Sequence, residues 1–227
     1  MTEGVDLIPI LLSYWDDEPP VARKKRWPKW LAASRDGGAS LKICIPAQHW
    51  VGPRLAWCSC KLPRGRRVGI ASSRLGRNLD NKQAWFAVLR AACTGLDPAA
   101  DLLVCSANTA AERYVSRAAR IFGLRLMTID MSESGELAFD RWLKSLDTNC
   151  QQHDQVRLRV SPALTLPDIE TTCSELPDRD RALVALSDRL MVLSVRKTGN
   201  IYRLLQQRLQ ETRLPGSAWQ TASIFVA

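Results

Sequence analysis

Short apolar runs alternating with segments of helical period constrain this chain more than any other feature. RRVGIASS (66–73) and DLLVCS (101–106) are strand-like runs that end in small polar residues. RLMTID (125–130), VRLRV (156–160) and RLMVLSV (189–195) repeat the pattern, and RLMVLSV is the clearest buried strand of the set. Such runs suit strands covered on both faces. Between them, 79–93 places Trp85, Val88, Leu89 and Ala92 on one helical face, and 108–122 does the same with Ala111, Val115, Ala118 and Phe122. Helices are also predicted over 135–147, with Leu137, Trp142, Leu143 and Leu146, and over 178–188, with Asp178 as N-cap after Pro177. A last helix, 199–211, carries Ile201, Leu204, Leu205 and Leu209 on one face, and ASIFVA (222–227) adds a final strand candidate. Strand–helix–strand repetition at this spacing predicts an α/β fold: a mostly parallel sheet with helices on both faces.

The first sixty residues follow a different pattern. Asp16-Asp17-Glu18 leads through Pro19-Pro20 to Arg23-Lys24-Lys25-Arg26, Trp27, Lys29 and Trp30. After the turn signal Asp36-Gly37-Gly38, LKICI (41–45) alternates apolar with polar, and RLAWCSC (54–60) is its candidate partner. The expected organisation is an N-terminal extension over 1–60, a short helix or loop and a β-hairpin, followed by a Rossmann-like domain over 61–227. A chain of 227 residues is long enough to bury one full core. With 46% hydrophobic and 24% charged residues it reads as globular, neither disordered nor a membrane protein. VDLIPILLSYW (5–15) is too short to span a bilayer, and Glu3 and Asp6 stand where a signal peptide carries positive charge. Seven cysteines (44, 58, 60, 93, 105, 150 and 173) form an odd set without paired spacing, and Cys93 and Cys105 sit in apolar runs. That usage points to a reducing cytoplasm.

In open α/β sheets, ligands bind outside the carboxyl ends of the strands, near the point where strand order reverses. Three loops supply suitable groups there: Ala71-Ser72-Ser73-Arg74-Leu75-Gly76-Arg77, Ser106-Ala107-Asn108-Thr109, and Lys197-Thr198-Gly199-Asn200. Amides at a helix N-terminus bind anions, glycine permits close approach, and arginine grips phosphate through two N–H groups. Small polar residues occur at many strand–helix turns, but three converging loops with Arg and Lys favour a phosphate-type site. The formal net charge of +9 agrees in sign, although most of the excess lies early: residues 1–67 hold 12 Lys/Arg against 6 Asp/Glu, the remainder 20 against 17.

VGIASSRLGR resembles the strand and turn of the DNA-processing protein A (DprA/Smf) and lysine-decarboxylase-like Rossmann superfamily, called SLOG, where Gly-Ser-Arg stands in place of Ser72-Ser73-Arg74. Arg179-Asp180-Arg181, Leu186-Ser187-Asp188 and the strand that follows are similar to the family's Arg-Asn-Arg, Leu-Ser-Asp and apolar strand. Thr198-Gly199-Asn200 stands where the family places Ser-Gly. The resemblance covers about residues 66–210 and implies a pocket in which Ser73, Arg74, Arg179, Arg181, Thr198 and Gly199 face a nucleotide or a DNA phosphate. Two departures bear on the ligand. Ala107 replaces a loop glycine, and Asp180 puts a carboxylate where an amide is expected. The Pro-Gly-Gly-x-Gly-Thr-x-x-Glu motif of the phosphoribohydrolase branch is not found in the sequence, which argues against a nucleotide N-ribosidase of that kind.

Other candidates read more blandly. RKKRWPKW interleaves basic and aromatic residues as single-strand binders do, yet equally describes a basic linker anchored by its tryptophans. Arg113, Arg117 and Arg120 share a helix face that reads as solvated. Cys58-x-Cys60 with Cys44 and His49 lacks zinc-knuckle spacing, so no metal site is expected. Neither His49 nor His153 falls in the three loops. The sequence therefore carries no recognised catalytic signature and calls for no cofactor. Two functions remain open. One is a binding module for a nucleotide, a nucleotide-derived ligand or single-stranded nucleic acid, using Ser72, Ser73, Arg74, Gly76, Ser106, Asn108, Thr109, Arg179, Arg181, Lys197, Thr198, Gly199 and Asn200. The other is a hydrolase of a nucleotide or nucleoside-linked bond in the same pocket, with Glu112 or Asp180 as acid–base group. No membrane partner is expected, and the oligomeric state is open, a homodimer included.

Overall fold

The computed structural model describes residues 40–42, 48–52, 54, 56–58, 63–72, 79–132, 135, 137–146, 154–163, 175–212 and 224–226. They form strands β1 (Ser40–Lys42), β2 (Ala56–Cys58), β3 (Arg66–Ser72), β4 (Asp101–Ser106), β5 (Arg125–Met131), β6 (Gln155–Val160), β7 (Arg189–Ser194) and β8 (Ile224–Val226). The helices are α1 (Gln48–Val51), α2 (Leu79–Thr94), α3 (Glu112–Ile121), α4 (Ala138–Ser145), α5 (Asp178–Leu186) and α6 (Asn200–Thr212). One eight-stranded sheet runs in the order β1-β2-β6-β5-β4-β3-β7-β8. From β6 to β8 all pairings are parallel, whereas β1–β2 and β2–β6 are antiparallel. This is the Rossmann-like α/β architecture that the alternating pattern predicts. The chain winds outward from β3 through β4 and β5 to β6, then returns to the other side of β3 as β7, so order reverses at β3. No helix among the described residues is long and apolar enough to cross a membrane.

Strand alternation divides the core into two layers. Leu102, Val104, Met127, Ile129, Leu190 and Val192 pack on one face with α5, α6 and α1. Val68, Ile70, Leu103, Cys105, Leu126, Met191 and Leu193 pack on the other with α2 and α3. Helix α5 is enclosed: Arg181 through Leu186 are all buried, with α1 and α6 beside it and β3, β4 and β5 beneath.

The Leu186-Ser187-Asp188 turn has a structural task. Ser187 is fully buried against Gly69 of β3, and its hydroxyl donates to the Leu183 carbonyl at 2.6 Å. Asp188 accepts from the Arg67 backbone N–H at 2.8 Å and from its guanidinium at 2.6 and 3.1 Å. The turn thereby sets β7 against β3. Arg208 of α6, fully buried, donates to the carbonyls of Val184, Ser187 and Asp188 at 3.0, 2.9 and 3.0 Å, satisfying the end of α5. Burial lowers its pKa to about 10.

Four expectations are corrected. Helix α3 begins at Glu112, not 108, because Asn108 takes a left-handed φ of 57° and the Glu112 amide donates to the Thr109 hydroxyl at 3.2 Å. Helix α4 begins at Ala138, and Leu137, at φ 59°, is left 67% exposed outside it instead of in the core. Asp178 is the first residue of α5, not its N-cap, and its carboxylate accepts from Arg54 and Arg181. The buried stripe of α6 is Ile201, Leu204, Leu205 and Arg208, while Leu209 is exposed.

Candidate functional site

At the carboxyl ends of β3 and β4 lies a cavity of about 400 Å³, the position where doubly wound sheets hold ligands. Strand β3 contributes Ile70 and Ser72, and β4 contributes Cys105 and Ser106. The loop Asn108–Ala111 forms a second wall, and Arg179, Asp180 and Leu183 of α5 a third, with Ile201 of α6 closing it. Residue spacing explains the placement. The β3–β7 register shifts by one residue between Ala71 and Ser72, a bulge that turns the end of β3 at the cavity mouth.

The β4–α3 loop is held from several sides. The Ala107 amide donates to the Ile129 carbonyl at 2.7 Å, extending the β5 pairing, and the Thr109 hydroxyl donates to the Ser106 carbonyl at 3.0 Å. Glu112 accepts the Asn108 amide at 2.8 Å and pairs with Arg157 at 3.1 Å. The Asn108 side chain donates to Asp130 at 3.4 Å. Glu112 is thus spent on holding the loop and does not line the cavity. Opposite, Trp85 of α2 donates to the Ser72 hydroxyl at 2.8 Å.

Within these walls the Ser106 hydroxyl is buried and has no hydrogen-bond partner among the described residues. An orphaned hydroxyl costs roughly 1–3 kcal/mol of desolvation, so such groups in a cavity wall suit a ligand that supplies the partner. Arg179, 45% exposed, brings a guanidinium to the rim, where it meets Asp180 at 3.5 Å. Burial raises the Asp180 carboxyl above its ordinary pKa, although the charge and hydrogen bond of Arg179 oppose the shift. Burial also pushes the Cys105 thiol up to about 12, only partly offset by its contact with Thr128, so it is no nucleophile at neutral pH.

The structure brings together Ser72, Ser106, Asn108, Thr109 and Arg179 from the expected set. Ser73, Arg74 and Gly76 lie outside the described residues. Lys197, Thr198, Gly199 and Asn200 form the turn into α6 next to Ile201 but do not line the cavity; the Gly199 amide donates to the Arg196 carbonyl at 2.9 Å. Arg181 is elsewhere: residues two apart on a helix lie about 200° apart around its axis, so Arg179 and Arg181 cannot face one ligand. Arg181 is buried and donates to the carbonyls of Leu176 (3.1 Å) and Trp50 (2.7 Å) and to Asp178. Arg54 joins the same network through Val51, Ser161 and Asp178. Of the two candidate acid–base groups, Asp180 lines the cavity beside Arg179 and Glu112 does not. Arg113, Arg117 and Arg120 are exposed, and Arg113 lies 4.5 Å from the Tyr114 ring centroid. Among the described residues no cluster of potential metal ligands occurs. No family model and no curated protein matches the sequence.

Proposed function

We propose that the cavity at the ends of β3 and β4 binds the phosphate-bearing part of a nucleotide or nucleotide-derived ligand, in a protein related to the SLOG and DprA/Smf-like branch of Rossmann-like folds. The observation that carries this reading is the orphaned, buried Ser106 hydroxyl in a strand-end cavity with a guanidinium at its rim. Hydroxyl, amide and guanidinium groups on converging loops are what a phosphate group needs. The order of the Arg179 helix, the Ser187-Asp188 turn and β7 supports the kinship, while Ala107 and Asp180 favour a ligand other than the one relatives hold.

Asp180 favours a second reading in the same cavity. A half-buried carboxylate with a raised pKa suits a general acid–base group, which would make the protein a hydrolase of a nucleotide or nucleoside-linked bond. Mass spectrometry of small molecules released on denaturation, followed by incubation with a nucleotide panel, separates the two. A retained or bound nucleotide that is recovered intact supports the binding module, and turnover supports the hydrolase. Absence of affinity for every nucleotide, and for single-stranded DNA at low salt where phosphate contacts are strongest, overturns both.

A further inference from the structure

A second cavity, of about 260 Å³, lies along the same edge of the sheet, beyond β5 and β6 and beneath α4. Its wall includes Asp130, Ser132, Arg141, Trp142, Ser145 and Arg159. It shares with the first cavity the feature that marked it. The indole N–H of Trp142, on a side chain 2% exposed, has no hydrogen-bond partner among the described residues. Two guanidinium groups accompany this donor, and Arg159 is held in place by the Ser145 carbonyl. Among the described residues of the wall the one carboxylate, Asp130, is already shared between Arg157 and the Asn108 amide group, each at 3.4 Å. Among the described residues the wall thus carries two guanidinium groups and one carboxylate that is already paired.

The two cavities are neighbours. Asn108 lines the first, Asp130 lines the second, and their hydrogen bond forms the sill between them. With strands ordered β6-β5-β4-β3, the cavity at β5 and β6 lies directly beside the one at β3 and β4. Each has its own cation and its own orphaned donor.

Building on the proposed nucleotide reading, we infer that the second cavity is an anion subsite of the same cleft. It takes the second phosphate of a ligand that carries two, namely a dinucleotide lying across the Asn108–Asp130 sill. A mononucleotide satisfies one cation-bearing subsite and leaves the other empty.

The test is calorimetric titration of the full chain with adenosine 5′-monophosphate and with the 5′-phosphorylated diadenylate. The variants are Arg141→Ala and Trp142→Phe, the latter deleting the indole N–H while keeping an aromatic ring. The wild-type chain is expected to bind the dinucleotide at least about tenfold more tightly than the monophosphate, a ratio that both variants reduce toward one. Equal wild-type affinities, or variants that weaken both ligands alike, overturn the second subsite and leave the first-cavity reading standing. Failure of both ligands to bind the wild type overturns the nucleotide reading itself.

Discussion

Gly69→Ala offers a sharp test of how the sheet is assembled. A Cβ built on Gly69 meets Ser187 Oγ at 2.0 Å, Ser187 Cβ at 2.8 Å and Leu190 Cδ2 at 2.9 Å, all below the 3.0 Å that real Cβ contacts respect. Ser187 cannot retreat, because its hydroxyl is bonded to the Leu183 carbonyl and its own carbonyl to Arg208. Overpacking of a core costs about 1–3 kcal/mol, and two clashes with the pinned Ser187 plus one with Leu190 place this substitution near 3 kcal/mol. Ser187→Gly removes both serine atoms that clash; alone it forfeits one hydrogen bond and adds backbone freedom, about 1–2 kcal/mol. The double variant is expected to be about 2 kcal/mol less destabilised than the sum of the single ones. Urea unfolding followed by circular dichroism measures all four corners of the cycle. A Gly69→Ala loss under about 0.5 kcal/mol, or an additive cycle, refutes the seam described between β3 and the Ser187 turn.

Three further outcomes are expected. Arg208→Met leaves the Val184, Ser187 and Asp188 carbonyls without their donor and loses about 2–4 kcal/mol in the same unfolding assay, with Arg208→Lys failing to restore it because one ammonium cannot span three acceptors. Because Asp180 has a raised pKa, its charge is lost as pH falls through that value; phosphate-ligand affinity of the wild type should rise over that interval relative to Asp180→Asn, which binds more tightly at neutral pH. Titrations of both proteins at a series of pH values check this, and parallel curves would contradict it. Cys93 and Cys105, buried and with thiols pushed up to about 11 and about 12, should resist iodoacetamide at pH 8 in the folded protein and be alkylated in urea, as read by peptide mass spectrometry.

The parallel sheet was legible because β4 and β7 are buried on both faces and so read as unbroken apolar runs. The strand-end loops were legible for a related reason: Ser106 and Asn108 stand where DLLVCS stops being apolar. Helical phase was read less well. Arg208 falls seven residues after Ile201 on the buried stripe, but an arginine at a core position is recognised only once its carbonyl partners, twenty or more residues away in sequence, are known. The two-residue separation of Arg179 and Arg181 puts them on opposite sides of α5, a phase readable from the sequence that rules out the shared phosphate clamp the resemblance implies. The partner of Arg181, Trp50, lies 131 residues away and is not readable there. The Asn108 left-handed turn and the late start of α3 depend on the pull of Ala107 into the β5 ladder, which no local propensity reports.

The central claim, that the cavity at the ends of β3 and β4 is a ligand site, rests on Ser106, and Ser106→Ala tests it most directly. Removing a buried hydroxyl that has no partner among the described residues should leave the unliganded protein as stable as before or up to about 1 kcal/mol more stable, while the proposed affinity for adenosine 5′-monophosphate falls about tenfold. A destabilised variant, or one that binds nucleotide as tightly as the wild type, would contradict the account.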